Sequence, residues 1–152
     1  EIDSTKDTAR LAAHDLAASL AAYVGNLSSE DCRLAYAGPA RGVLARYDDI
    51  LLDLVLAALL DNAKRYALPG TAIELRLTSH DHHDVMFEVF NQGPHVADSE
   101  KIFLFGETSR DLASNQGIGL YAASQYVTSF GGTIHAENRP TGVAIVVKLI
   151  AR

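Results

Sequence analysis

Cysteine is almost absent from this chain. Cys32 is the only one, so no intrachain disulfide can form and a reducing compartment is expected. Methionine is equally scarce. Met86 stands alone and the chain opens on Glu1, so a piece of a longer protein is expected. No run of about 18 apolar residues occurs, so no segment is expected to span a membrane. No signal-peptide pattern is visible either. Positive charge is in deficit: 13 Lys and Arg face 19 Asp and Glu, for a net charge of −6. A basic face of the kind that binds nucleic acid is therefore not expected, and any phosphate site has to be built locally, against the overall charge. Internal repeats are lacking, and the only compositional bias is the alanines of the first 24 residues. What remains suffices for a core. The 152 residues, 48% hydrophobic and 21% charged, fit one soluble globular domain of ordinary size.

Punctuation along the chain predicts the order of elements. Ser4 and Asp7 are spaced like a capping box, and Leu16, Leu20 and Val24 then form one stripe of a helix ended by Gly25-Asn26. Residues 32–37 and 42–47 read as a hairpin around Gly38-Pro39. Asp48 or Asp49 caps a second helix that runs to about Tyr66 and stops before Pro69-Gly70. Apolar residues alternate in 71–79 and 84–90, as strands require. Residues 91–116 are loop-rich, with one helical turn expected near 98–102. A third helix starts near Gly117 and ends at Gly131-Gly132, and residues 133–138 and 143–150 close the chain as a hairpin. The order predicts helices packed on one face of a mixed sheet.

Two features carry chemistry. Leu51, Val55, Ala58 and Asn62 follow one another at helical offsets, which puts a polar amide on an apolar stripe. Such an amide needs a partner, because burying it unpaired costs roughly 1–3 kcal/mol. Nearby backbone or a ligand could supply that partner. Gly117-Ile118-Gly119-Leu120 opens the third helix. Glycines there let backbone N–H groups approach a phosphate, and the helix dipole adds attraction. Leu120, Ala123, Val127 and Phe130 supply the buried stripe of that helix. His80-Asp81-His82-His83-Asp84 looks like a metal cluster, but it sits where a polar strand-to-strand turn belongs.

Four segments, residues 59–67, 91–94, 102–105 and 115–120, resemble the N, G1, F and G2 boxes of the histidine-kinase catalytic and ATP-binding domain. That family belongs to the wider group shared with gyrase, the Hsp90 chaperones and MutL. The resemblance covers roughly residues 31–151. It implies the Bergerat ATP-binding fold: a two-layer α/β sandwich, with a mixed, mostly antiparallel sheet and helices on one face. It implies ATP and Mg²⁺ as ligands, with Asn62 as the metal-binding and catalytic residue and Arg65 as a catalytic phosphate contact. It further implies a nucleotide site made of Asn62, Arg65, Tyr66, Asn91, Gly93, Arg110, Gly117, Ile118, Gly119 and Leu120. Phe103 and Phe105 would anchor a lid over residues 106–116, with Arg110 toward the γ-phosphate.

The chain departs from the family pattern in four places, one of them Arg65 for the usual lysine, which keeps the charge and adds a planar fork. Asn91 stands where an aspartate accepts a hydrogen bond from the adenine amino group, and His95 replaces the second glycine of that box. An amide oxygen still accepts the bond but loses charge assistance, worth roughly 1 kcal/mol, or a few-fold to tenfold in affinity. Ala58 stands where hydrolysing relatives carry a glutamate base, which points to the phosphotransferase branch.

The implied function is that of a sensor histidine kinase's catalytic domain, donating the ATP γ-phosphate to a histidine on a separate dimerisation domain. Residues 1–28 would be a linker or the end of a dimerisation helix, and residues 29–152 the catalytic domain. Implied partners are the upstream phosphoacceptor domain and a response regulator. No nucleic acid and no membrane contact by this fragment is expected. A homodimeric parent and a cytoplasmic location are expected, whether or not the parent is membrane-anchored. The fragment alone should be inactive. His14-Asp15-Leu16 resembles the phosphoacceptor motif, but positions 15–61 leave 47 residues before Asn62, too few for a second long helix. The alternative is a degenerate regulatory pseudokinase domain with weak or no nucleotide binding, acting as an interaction module.

Overall fold

The computed structural model describes residues 11–27, 33–99, 101–104 and 116–151, with the backbone alone for 116–118. The elements are β1 (Leu11–Asp15), α1 (Leu16–Gly25), β2 (Leu34–Ala37), β3 (Leu44–Asp48), α2 (Asp49–Tyr66), β4 (Ile73–His80) and β5 (Asp84–Gln92). A 3-10 turn (Lys101–Phe103), α3 (Gln116–Ser129), β6 (Thr133–Arg139) and β7 (Gly142–Ile150) follow. Five strands form one sheet in the order β2-β4-β5-β7-β6, and β1 and β3 form a second, two-stranded sheet. Among the described strands only the β2–β4 pair is parallel.

Alternation divides the large sheet. Ile73, Leu75, Leu77, Val85, Phe87, Val89, Ile145, Val147 and Leu149 face inward. They share one core with Leu16 and Leu20 of α1, with Val55, Leu56 and Leu59 of α2, and with Ala123 and Val127 of α3. Phe90, Ala144 and Val146 form a separate small cluster on the other face, beside Met86. The three described α-helices thus lie on one side, giving the two-layer α/β sandwich expected from the sequence. On the outer face the Glu88 side chain is only 4% exposed, held by Arg76 at 3.0 Å and Arg139 at 2.8 Å. Arg76 also lies over the Phe90 ring, 4.6 Å from its centroid.

Two expectations are corrected. Within the expected first helix, residues 11–15 form a strand. The strand pairs antiparallel with β3, from Leu11↔Asp48 to Asp15↔Leu44. Alanine's helix preference yields there to pairing, since propensity is a weak prior beside tertiary contact. Ser4 and Asp7 lie outside the described residues. The expected hairpin of 32–37 with 42–47 does not form either. Its two strands belong to different sheets, β2 beside β4 and β3 beside β1. A bridge between Ala45 and Ala151 joins the small sheet to the chain end.

Asp15, part of the His-Asp pair singled out in the sequence, has a structural task. Its carboxylate caps α1 by accepting from Ala18 N at 3.1 Å, and it also accepts from Gly42 N at 2.8 Å. The Gly42 amide, then those of Ala18 and Val43, hold the carboxyl below its ordinary 3.8. A depressed folded-state value contributes stability above the unfolded value, and that stability is lost as pH falls through the folded value. Asp15→Ala should therefore cost about 1–2 kcal/mol at neutral pH. Denaturant unfolding should show the gap to wild type closing as pH drops below 3.8. Neighbouring His14 lies beside Tyr47, with ring centroids 4.9 Å apart and its Nε2 buried. Burial pushes the Tyr47 phenol up to about 12, and Ser19 meets its hydroxyl at 2.7 Å.

Candidate functional site

The site is built on the C-terminal end of α2. Asp48 starts that helix, accepting from Ile50 N at 2.9 Å and Leu51 N at 3.1 Å. Lys64 and Arg65 occupy its last turn, where cations complement the negative end of the dipole. Val55 is fully buried, and Leu51 and Ala58 pack partly on the core. Asn62 continues the same stripe but is half-buried. Partial exposure relieves the penalty of a buried unpaired amide and keeps its oxygen accessible to a ligand. Arg65 and Tyr66 are half-buried beside it and already engage neighbouring groups.

The end of β5 meets the end of α2. Leu68 N donates to the Gln92 carbonyl at 2.9 Å, and Asn91 Nδ2 donates to the same oxygen at 3.2 Å. Asn91 is 3% exposed, and its engaged amide nitrogen leaves the oxygen as the acceptor. Gly93 follows with φ 154°, and a Cβ there would collide with the Tyr66 carbonyl oxygen. Only glycine lets the chain pass this close to the helix end.

The third segment arrives from α3. A Cβ on Gly119 would lie 3.8 Å from Ala58 Cβ, one turn before Asn62. Gly117 and Ile118 belong to the first turn of α3, where backbone N–H groups have no intrahelical acceptor. The Leu120 side chain is 6% exposed and lies in the core with Ala123, Val127 and Phe130, so only its backbone could serve a ligand. Ile102 and Phe103 pack partly on the same core, as expected of packing residues. Phe105 and Arg110 lie outside the described residues, so their expected roles have no counterpart here.

Sequence reading missed what supports the Gly93–Val96 segment from behind. Gly93 N donates to the Thr141 carbonyl at 3.1 Å. Val96 N donates to Asn138 Oδ1 at 3.0 Å, and Asn138 Nδ2 donates back to the Val96 carbonyl at 3.1 Å. His95 Nε2 meets the Arg139 carbonyl at 2.6 Å. The run Asn138-Arg139-Pro140-Thr141-Gly142 signals a turn but not what the turn holds. The histidine-rich run resolves differently. Asp81 Oδ1 accepts from His83 N and Asp84 N, both at 2.8 Å, and so shapes the β4–β5 turn. Among the described residues no group of three or more His, Cys, Asp or Glu could hold a metal.

This arrangement has relatives. A family profile described as "Histidine kinase-, DNA gyrase B-, and HSP90-like ATPase" matches residues 47–151. The signal transduction histidine-protein kinase AfsQ2 of Streptomyces coelicolor is 32% identical over 110 residues, covering 69% of this chain and 20% of AfsQ2. The sensor protein KdpD of Mycobacterium tuberculosis is 34% identical over 113 residues, covering 71% of this chain and 13% of KdpD. The chain therefore spans a fifth or less of these relatives. In fold it is similar to the mycobacterial sensor histidine kinase MprB, at TM-score 0.77 and 20% identity, over 93% of this chain and 98% of that one. The catalytic domain of histidine kinase ThkA gives a TM-score of 0.78 at 19% identity, over 93% and 95%. Among the described residues no helix is long and apolar enough to cross a membrane. With its three motif segments gathered at one end of α2, the chain belongs to the histidine kinase-, DNA gyrase B- and HSP90-like ATPase family, as a domain of the sensor histidine kinase kind.

Proposed function

We propose that this chain is the catalytic domain of a sensor histidine kinase, binding Mg·ATP and presenting its γ-phosphate to a histidine on a separate dimerisation domain. The observation that carries this reading is the convergence at α2: Gly93 against the Tyr66 carbonyl and Gly119 beside Ala58, with Asn62 midway between Ala58 and Tyr66 along the helix. Asn62 suits Mg²⁺, since the residue is only half-buried, an amide oxygen is a hard ligand, and this ion keeps several waters of its own. When bound, the metal neutralises charge between phosphate oxygens. The residues of the chain would do the rest. Arg65 would hold phosphate, the first-turn amides of α3 at Gly117, Ile118 and Gly119 would cradle it, and Tyr66, Asn91 and Gly93 would bound the base. Arg110 would approach the γ-phosphate. Such catalysis is mainly positioning and charge neutralisation. The catalytic unit would take in β1 and α1, because Leu16, Ala17 and Leu20 are fully buried in the common core. A response regulator, a homodimeric parent and a cytoplasmic location complete the proposal.

Ala58 offers no base for water, so the isolated chain should neither hydrolyse ATP quickly nor label itself. Incubation with radiolabelled ATP tests this. Acid-labile, base-stable label should appear only when the missing helical domain is supplied in cis or in trans. Label on the isolated chain that disappears in His14→Gln would overturn it, as would rapid phosphate release.

Asn91 favours a second reading, a regulatory pseudokinase domain with weak nucleotide binding. Asn91→Asp distinguishes the two. With its oxygen directed at the adenine amino group, the carboxylate should tighten ATP by a few-fold to about tenfold, while GTP, with a carbonyl there, should gain nothing. Equal gains for both nucleotides, or none, would remove Asn91 from base recognition.

A further inference from the structure

The glycine that ordinarily follows the base-binding segment is His95 here, and the structure shows what the chain does instead. From Gly93 to Val96 the backbone belongs to no strand or helix, yet three of its four residues bond to the tip of the β6–β7 hairpin: Gly93 to Thr141 in the turn, and His95 and Val96 to Arg139 and Asn138 at the end of β6. Asn138 behaves like a short piece of strand. Its amide oxygen accepts from Val96 N, and its amide nitrogen donates to the Val96 carbonyl, at 3.0 and 3.1 Å. His95, between Pro94 and Val96, adds a further bond from its side chain to the Arg139 carbonyl. Because the Arg139 carbonyl can only accept, Nε2 must carry the proton, as it does in one neutral tautomer and in the imidazolium. The turn is itself anchored. Arg139 donates to Glu88 at 2.8 Å and to Glu137 at 2.7 Å, and Glu88 is buried on the outer face of the sheet. On its opposite side, Gly93 abuts the Tyr66 carbonyl and lies against the Asn91 amide.

We infer that Asn138, with His95, is a positioning clasp: it fixes residues 93–96 on the tip of the β6–β7 hairpin and thereby holds Asn91 and Gly93 in place for the nucleotide base. This inference rests on the nucleotide-binding reading above. Asn138 and His95 would not touch the ligand. They would act through the segment they hold, in place of the conformational freedom a second glycine would give. Ordering that segment in advance removes an entropy cost that binding would otherwise carry.

Both side chains are exposed, so their removal should leave the fold intact. The test uses wild type, Asn138→Ala, Asn138→Asp, His95→Ala and the Asn138→Ala/His95→Ala double variant, titrated calorimetrically with a non-hydrolysable ATP analogue and Mg²⁺. Apo melting temperature and amide hydrogen exchange at Gly93, His95 and Val96 are followed in parallel. Asn138→Ala should weaken the analogue about three- to tenfold, with the melting temperature nearly unchanged and Val96 exchange accelerated in the apo protein. Asn138→Asp keeps the acceptor for Val96 N and loses the donor, so it should fall between. Asn138→Ala combined with His95→Ala should lose less than the product of the single losses, because each holds the same segment. Wild-type binding with equal affinity in Asn138→Ala would overturn the positioning role. No binding by wild type would refute the nucleotide reading and with it the positioning role. In that case the apo exchange of Val96 still decides whether the clasp exists, and unchanged protection in Asn138→Ala would remove it too.

Discussion

Gly93→Ala should lose nucleotide binding by more than about tenfold and destabilise the domain by about 2–4 kcal/mol. The cause is local. The new methyl group would be driven into the Tyr66 carbonyl oxygen, with the Asn91 amide nitrogen 3.3 Å away. That carbonyl belongs to the last turn of α2 and cannot rotate aside without breaking the helix end. The end is also tied to β5 by Leu68 N and the Gln92 carbonyl, at 2.9 Å. Relief therefore requires α2 and β5 to separate, which moves Tyr66 and Arg65 away from Asn91. Thermal unfolding and calorimetry of one preparation should show both losses together. A variant with wild-type melting and wild-type affinity would mean that Gly93 is not wedged between these elements.

Glu88→Ala should destabilise the chain by about 2–3 kcal/mol at neutral pH. Glu88 is the buried centre of the outer-face network, facing Arg76 and Arg139, each 30% exposed. Removing the carboxylate takes the buried partner from Arg139 and from Arg76, which lies over Phe90 of the small apolar cluster. Their partial access to water keeps the cost below that of stranding a fully buried charge. Glu88→Gln retains shape and one acceptor, so it should cost about half as much. Denaturant unfolding of the three proteins would decide, and equal midpoints for wild type and Glu88→Ala would show that the network contributes nothing.

The sequence was most legible where periodicity and capping agree. Asp48 before an apolar stripe placed α2, and alternation in β4 and β5 placed the middle of the large sheet with nearly correct ends. Glycine signals ended α3 and marked the last hairpin. The site's own segments were legible because each joins unusual residues to a structural need: Gly93 to a close approach, and Gly119 to a helix start beside Ala58. What escaped was long-range pairing. Leu11–Asp15 carries helix-forming alanines, and nothing within five residues reveals that β3 will recruit them. Leu34–Ala37 gives no sign that its neighbour is the parallel β4 rather than the nearer β3. Asn138 is invisible for the same reason, because its partner Val96 lies 42 positions away.

The most direct test of the account is a calorimetric titration of this chain with a non-hydrolysable ATP analogue, in Mg²⁺ and then in excess chelator, for wild type and Asn62→Ala. The account predicts saturable binding by wild type that weakens on chelation. Asn62→Ala should be impaired mainly in the Mg²⁺ arm, so that chelation changes its affinity little. No heat and no thermal shift at millimolar nucleotide would contradict it, as would Mg²⁺-dependent binding that survives Asn62→Ala unchanged.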